Sequence, residues 1–237
     1  MWNKIQRIYI GTNQVRPPYK REPDATRTML YLKFENNTND SSGNNVSVSS
    51  AWVGYGTVGN LHYVERTWSA SWTYIKPTQT LLQAIWTWDF AVSFRIYWVS
   101  KGSSPTWVFV NEYDSSSPRK WLYCYADGTN IGSAIDGNFS NLILTPYSLR
   151  TWTHYVSTRV SGVNYLYLNG ELKWTNTNTQ DLSNPWVNKF VILNRNDYTA
   201  QAWGEAWARM SEVICEKVWW SADQVSKYYN STKDNFS

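Results

Sequence analysis

The hydrophobic pattern is clearest between Trp152 and Leu172. There Trp152, His154, Val156 and Thr158 fall on one face of an alternating run, and Leu166 and Leu168 fall opposite Tyr165 and Tyr167 in the next. Ser161-Gly162-Val163-Asn164 supplies the connection, and Asn169-Gly170 marks a second tight turn, because both residues tolerate positive φ. The pattern predicts an antiparallel hairpin whose apolar face needs further strands to cover it.

Similar short runs recur along the chain. Met29 to Phe34, Thr106 to Val110, Lys120 to Tyr125 and Phe190 to Leu193 each read as strands, separated by polar clusters such as Tyr113 to Pro118, Ala126-Asp-Gly128 and Asn194 to Asp197. Short strands at regular spacing predict an all-β sandwich. One helix is predicted, at the C-terminal end: Ser221 is a good N-cap, Gln224 completes a capping box, and Ala222, Val225 and Tyr229 recur at helical spacing. At 237 residues, one large β domain accommodates the whole pattern.

Composition sharpens this picture in two places. The chain holds 16 Trp and 17 Tyr against 7 Phe, so its rings carry polar handles suited to half-buried or displayed positions. Net charge is +4, and the excess is local: Lys4, Arg7, Arg16, Lys20 and Arg21 meet no acid within the first 21 residues, leaving 17 basic and 18 acidic side chains beyond them. A neutral body excludes a broad nucleic-acid footprint. No apolar run approaches 18 residues, and the first residues alternate charge with single isoleucines, so neither a membrane partner nor a secretory leader is expected.

The two ends of this reading carry resemblances. Leu30-Tyr-Leu-Lys-Phe-Glu-Asn-Asn-Thr-Asn-Asp-Ser-Ser-Gly-Asn-Asn45 resembles the opening of laminin-G-like jelly rolls of the concanavalin A-like lectin/glucanase superfamily. Asp89-Phe-Ala-Val-Ser-Phe-Arg-Ile-Tyr97, Trp152 to Leu172 and Ser211-Glu-Val-Ile-Cys-Glu-Lys217 resemble three later blocks of that family, in its order. Ala208-Arg209 stands where the family usually has a glycine before its last strand. The resemblance implies a two-sheet antiparallel jelly-roll sandwich over residues 26–237 with one short C-terminal helix. Residues 1–25 are expected to form an extended basic arm, held straight by Pro17 and Pro18. Its segment Ile8-Tyr-Ile-Gly-Thr-Asn-Gln-Val-Arg-Pro17 resembles the leading segment of surface and virion proteins of bacteriophages and uncultured bacteria. That places the chain on a virion or extracellular surface and makes Ile8, Tyr9, Ile10 and Arg16 candidates for docking on another protein chain, in a homo-oligomer or a larger particle.

Candidate chemistry follows from the same residues. Glycosidases of the superfamily carry Glu-x-Asp-x-x-Glu on one strand, a spacing absent here; Glu212 and Glu216 stand four apart with Ile214 between them and are expected to be solvated. His154 reads as a core histidine, and Cys124 and Cys215 as buried free thiols rather than a disulfide. Calcium is the one cofactor implied by the resemblance, with Asp114, Asn196 and Asp197 as its candidate ligands. Aromatics outside regular strands, Trp52 and Tyr55 in a Gly-rich connection, Trp107 at the opening of a strand, Trp186, and Trp203 and Trp207 flanking a loop, are candidates for stacking on the C–H faces of a glycan or host-surface polymer. The expected function is a non-catalytic carbohydrate- or surface-binding module; a purely structural virion subunit is the alternative.

Overall fold

The computed structural model describes residues 23–67, 73–78, 89–100, 106–112, 121–126, 129–135, 143–178, 189–193 and 207–236. Its strands, in chain order, are β1 (Thr28–Leu32), β2 (Val48–Ala51), β3 (Val53–Val58), β4 (Leu61–Arg66), β5 (Tyr74–Pro77), β6 (Phe90–Trp98), β7 (Thr106–Glu112), β8 (Trp121–Ala126), β9 (Asn130–Ile135), β10 (Ile143–Pro146), β11 (Trp152–Val160), β12 (Val163–Leu168), β13 (Glu171–Thr177), β14 (Lys189–Ile192) and β15 (Ala208–Glu216). One helix, α1 (Ala222–Thr232), follows them and runs on into a 3-10 turn at Lys233–Phe236.

All pairings are antiparallel and make two sheets. The larger runs β13-β12-β11-β6-β15-β4-β3, with β1 also paired to β15; the smaller runs β10-β9-β8-β7-β14-β5-β2. This is the two-sheet antiparallel sandwich expected from the strand pattern. The predicted hairpin is β11–β12, closed by Ser161 and Gly162, both at positive φ. Asn169 and Gly170, again both at positive φ, close β12 onto β13. These pairs adopt the backbone that matches strand twist in two-residue turns, which is why their sequence marks the turns so clearly.

The facing sides of the sheets meet over aromatic rings. Phe94 stacks on Tyr155 at 4.5 Å within the larger sheet, and on Phe109 of the smaller sheet at 6.2 Å; Phe109 meets the edge of Phe190 at 5.0 Å. Leu166 and Leu168 join this core, while Tyr165 and Tyr167 turn to the other side of β12. Cys124 and Cys215 are buried and free, one in each sheet.

Helix α1 lies on the outer side of the larger sheet. Ser221 caps it through the expected reciprocal pair with Gln224. The residues it buries are Val225 and Tyr228; Ala222 is exposed and Tyr229 only half-buried, so the buried stripe runs one position away from the Ala222–Val225–Tyr229 spacing read from sequence. Val225 and Tyr228 pack with Ala91, Val156, Tyr167, Ile214 and Trp220 into a second core. Trp220 is anchored twice: its amide donates to Thr158 Oγ1 at 2.9 Å and its indole Nε1 to Glu216 Oε2 at 2.7 Å.

Several elements differ from the sequence reading. Trp52 lies in the connection between β2 and β3, as the sequence suggests, but Tyr55 does not: Val53–Val58 is strand β3, paired residue for residue with β4. Its Val-Gly-Tyr-Gly-Thr-Val sequence has too few apolar residues to signal a strand, and β4 supplies the pairing that holds it. The last strand begins at Ala208, not Ser211, and contains a bulge between Ser211 and Ile214 with Glu212 at φ 51°. Glu216 is buried and Glu212 nearly so, because α1 covers their face; neither is the solvated carboxylate expected. The arm candidates Ile8, Tyr9, Ile10 and Arg16 lie outside the described residues.

Replacing Trp220 with alanine removes the centre of the second core and both anchors. It is expected to lower the unfolding free energy by about 3–5 kcal/mol in urea titration, against about 1 kcal/mol for Ser221→Ala, which removes the cap alone.

Candidate functional site

The outer side of the larger sheet is divided between a part that α1 covers and a part it leaves open. At the boundary, β11, β6, β15, β4 and β3 bring five residues into a single row of direct cross-strand partners. Trp152 opposes Tyr97, Tyr97 opposes Arg209, Arg209 opposes Glu65, and Glu65 opposes Gly54. Directly opposed residues share one face of a sheet, so the row is contiguous by construction.

Side-chain contacts tie the row together. The Arg209 guanidinium lies 4.9 Å from the Tyr63 ring centroid and 5.5 Å from that of Tyr97. Its Nε donates to Glu65 Oε2 at 2.7 Å. Trp152 packs at 5.5 Å from Tyr97 and 6.0 Å from Tyr63, both tilted. Tyr63 can lie over β3 because Gly56 stands opposite it; a Cβ there would strike the phenol ring. All of these side chains are half-buried, with Arg209 35% and Glu65 25% exposed. Burial disfavours the Arg209 charge, but the hydrogen bond and charge of Glu65 outweigh it, and the guanidinium is held above its ordinary value.

The next row along the same strands reaches the rim. Trp207, one residue before β15, accepts from the Val99 amide at 2.7 Å through its carbonyl and is 46% exposed. Trp52, one residue before β3, accepts from the Thr67 amide and from the Thr67 and Thr73 hydroxyls, and is 57% exposed. Its φ of 54° is uncommon for a bulky residue, and three hydrogen bonds to one carbonyl hold it there.

Of the glycan candidates from sequence, the structure therefore places Trp52 and Trp207 at the rim of this surface. Tyr55 packs inward against the core beneath it. Trp107 lies in β7 of the smaller sheet. Trp186 and Trp203, with the calcium candidates Asp114, Asn196 and Asp197, lie outside the described residues. Among the described residues, no group of three or more His, Cys, Asp and Glu side chains could hold a metal ion. Sequence reasoning missed Tyr63, Glu65, Tyr97, Trp152 and Arg209 as site residues. Each sits at an ordinary alternating position, and no local signal distinguishes it.

Under α1, on the covered side of the boundary, the polar groups are committed to one another. Arg95 Nε donates to Glu212 Oε2 at 3.3 Å, and Arg95 also donates to the Thr232 hydroxyl near the end of the helix. The Tyr228 hydroxyl donates to Glu212 Oε2 at 3.3 Å. His154 is the core histidine expected from sequence: its Nε2 bonds Ser93 Oγ at 2.9 Å, and its ring lies between Tyr228 and Tyr229. Burial and, secondarily, the neighbouring Arg95 charge hold its pKa well below the ordinary value of 6.5.

No family model and no curated protein sequence matches the chain. Solved structures do. The receptor binding domain of botulinum neurotoxin D superposes with a TM-score of 0.67 at 17% identity, covering 88% of this chain and 53% of that one. The binding domain of Paraclostridial Mosquitocidal Protein 1 gives 0.65 at 14% identity, over 87% and 52%. A mutant of Trypanosoma rangeli sialidase displaying trans-sialidase activity gives 0.69 at 11% identity, over 90% and 34%. This chain thus spans about half the length of the receptor-binding domains and about a third of the sialidase. The shared feature is the fold, a jelly-roll β-sandwich.

A histidine held neutral in the folded state makes stability depend on pH. Its contribution is complete above the unfolded value, about 6.5, and is lost as pH falls towards the folded value, because only the unfolded chain then takes up the proton. Urea titrations between pH 7 and pH 5 are expected to show a decline of up to about 1.4 kcal/mol per pH unit from this group, and His154→Gln should flatten it.

Proposed function

We propose that this protein is a non-catalytic carbohydrate-binding module, and that the open aromatic row on the larger sheet is its binding surface. The observation that carries the reading is the row itself: Trp152, Tyr97 and Tyr63 grouped around an Arg209–Glu65 pair, with the exposed Trp52 and Trp207 beyond it. A sugar ring presents C–H groups on its faces and hydroxyls around its edge. Aromatic faces next to a fixed donor and acceptor complement both features.

Non-catalytic action is supported by the carboxylates. Glu212 and Glu216 are engaged with Arg95, Tyr228, Thr28 and Trp220 beneath the helix, where a polysaccharide does not reach. Two of the structures this chain resembles are a receptor binding domain and a binding domain, which fits the reading although the likeness is one of fold. The resemblance of Ile8–Pro17 to leading segments of phage and bacterial surface proteins supports display on a virion or cell surface, with the arm as its anchor.

A glycan array followed by calorimetry tests the proposal. Specific glycans should bind, and Trp152→Ala or Tyr97→Ala should each weaken them by about tenfold, or 1.4 kcal/mol, in protein that still melts cooperatively. Absence of any glycan ligand, or binding that survives both substitutions, would overturn it.

A further inference from the structure

The Arg209–Glu65 pair has capacity to spare. Arg209 spends one donor, Nε, on Glu65, and its two terminal nitrogens donate to no acceptor among the described residues. Glu65 accepts through Oε2, and no described donor reaches its other oxygen. Both groups are fixed: the guanidinium by its contacts with Tyr63 and Tyr97, the carboxylate by the 2.7 Å bond. On the β3 side of Glu65 stands Gly54, whose missing side chain leaves room for the Thr67 methyl to pack there, 2.7 Å from where a Cβ would sit, with Glu65 Cγ 3.7 Å from the same point.

We infer that the pair reads two adjacent hydroxyls of a neutral sugar and discriminates against acidic sugars at the same position; the inference rests on the carbohydrate reading above. Each hydroxyl both donates and accepts. A neighbouring pair of hydroxyls is therefore matched by unused N–H donors beside an unused carboxylate oxygen, with the C–H face of the ring resting against Trp152 and Tyr97. An anionic group has no such match. It could take Arg209's free donors, but it would then lie within several ångströms of the Glu65 carboxylate. Two like charges about 4 Å apart repel, and more strongly at a protein surface than in bulk water. Arg209 attracts such a group, but its charge is already shared with Glu65, so the pair as a whole offers an anion no net charge to bind. Selection is built from a repulsive element as well as an attractive one.

Titration calorimetry separates the outcomes. The probes are neutral oligosaccharides of glucose, galactose and mannose, and oligosaccharides of the same linkage carrying a uronate or a sulfate. The expected result is binding of at least one neutral probe, with its acidic counterpart at least tenfold weaker. Glu65→Gln keeps an oxygen acceptor and removes the charge, so it should narrow that gap by several-fold. Arg209→Lys, which replaces the planar fork with a single ammonium, should weaken the neutral probe by about tenfold or more. Acidic probes that bind as well as or better than neutral ones would overturn the selectivity and leave the carbohydrate reading standing, as would a gap unchanged in Glu65→Gln. Failure of both probe classes to bind would overturn both.

Discussion

Helix α1 is the constraint on which this surface depends. Eleven residues are too few for a helix to persist in water by itself, and α1 holds because its face is packed. Trp220, just before it, inserts between Thr158 and Glu216, and Tyr228 closes over His154 and Arg95. The buried charges beneath are tolerable because each has named partners: Arg95 with Glu212 and Thr232, Glu216 with Thr28 and Trp220. One face of the larger sheet is thereby split into a sealed half and an open half. The open half is where its rings and its Arg209–Glu65 pair meet solvent.

The position of that split is set by β15. Along one edge this strand must pair first with β4, at Arg209 and Met210, and then with β1, from Val213 to Glu216. The bulge between Ser211 and Ile214 falls at the change of partner, and it gives Glu212 a left-handed backbone that glycine would adopt more readily. Strain of this kind costs on the order of 1–3 kcal/mol, offset by the bonds Glu212 makes to Arg95 and Tyr228. The left-handed position within the last strand is thus taken by a carboxylate and not by a glycine. That carboxylate holds the helix in place.

The proposed binding surface, made from opposed residues on paired strands, is rigid before any ligand arrives. Tyr97, Arg209 and Glu65 have paired strands on both sides and Trp152 is paired with Tyr97 on one, so little conformational freedom is left to lose on binding. The rim residues Trp52 and Trp207 are less constrained by pairing, and the Trp52 carbonyl is instead fastened by three hydrogen bonds. The sandwich fold shared with receptor-binding domains supplies this platform without deciding what it holds.

The sequence by itself determined the features whose cause is local. Alternation in β11 and β12 separates Leu166 and Leu168 from Tyr165 and Tyr167, positive-φ pairs close both turns, and Ser221 with Gln224 starts the helix. His154 was legible as a core residue for the same reason, since it shares a face with Val156. What only the tertiary structure decided is which strands lie side by side. The row from Trp152 to Gly54 joins residues far apart in the chain, and its register follows from pairings among five strands packed over one core. A one-residue slip in any of those pairings would send a side chain to the other face, and no short stretch of sequence encodes the outcome. Glu212 and Glu216 looked solvated because the helix that buries them lies outside their own strand, and β3 looked like a connection because its glycines make room for Tyr63 and Glu65 of its neighbour.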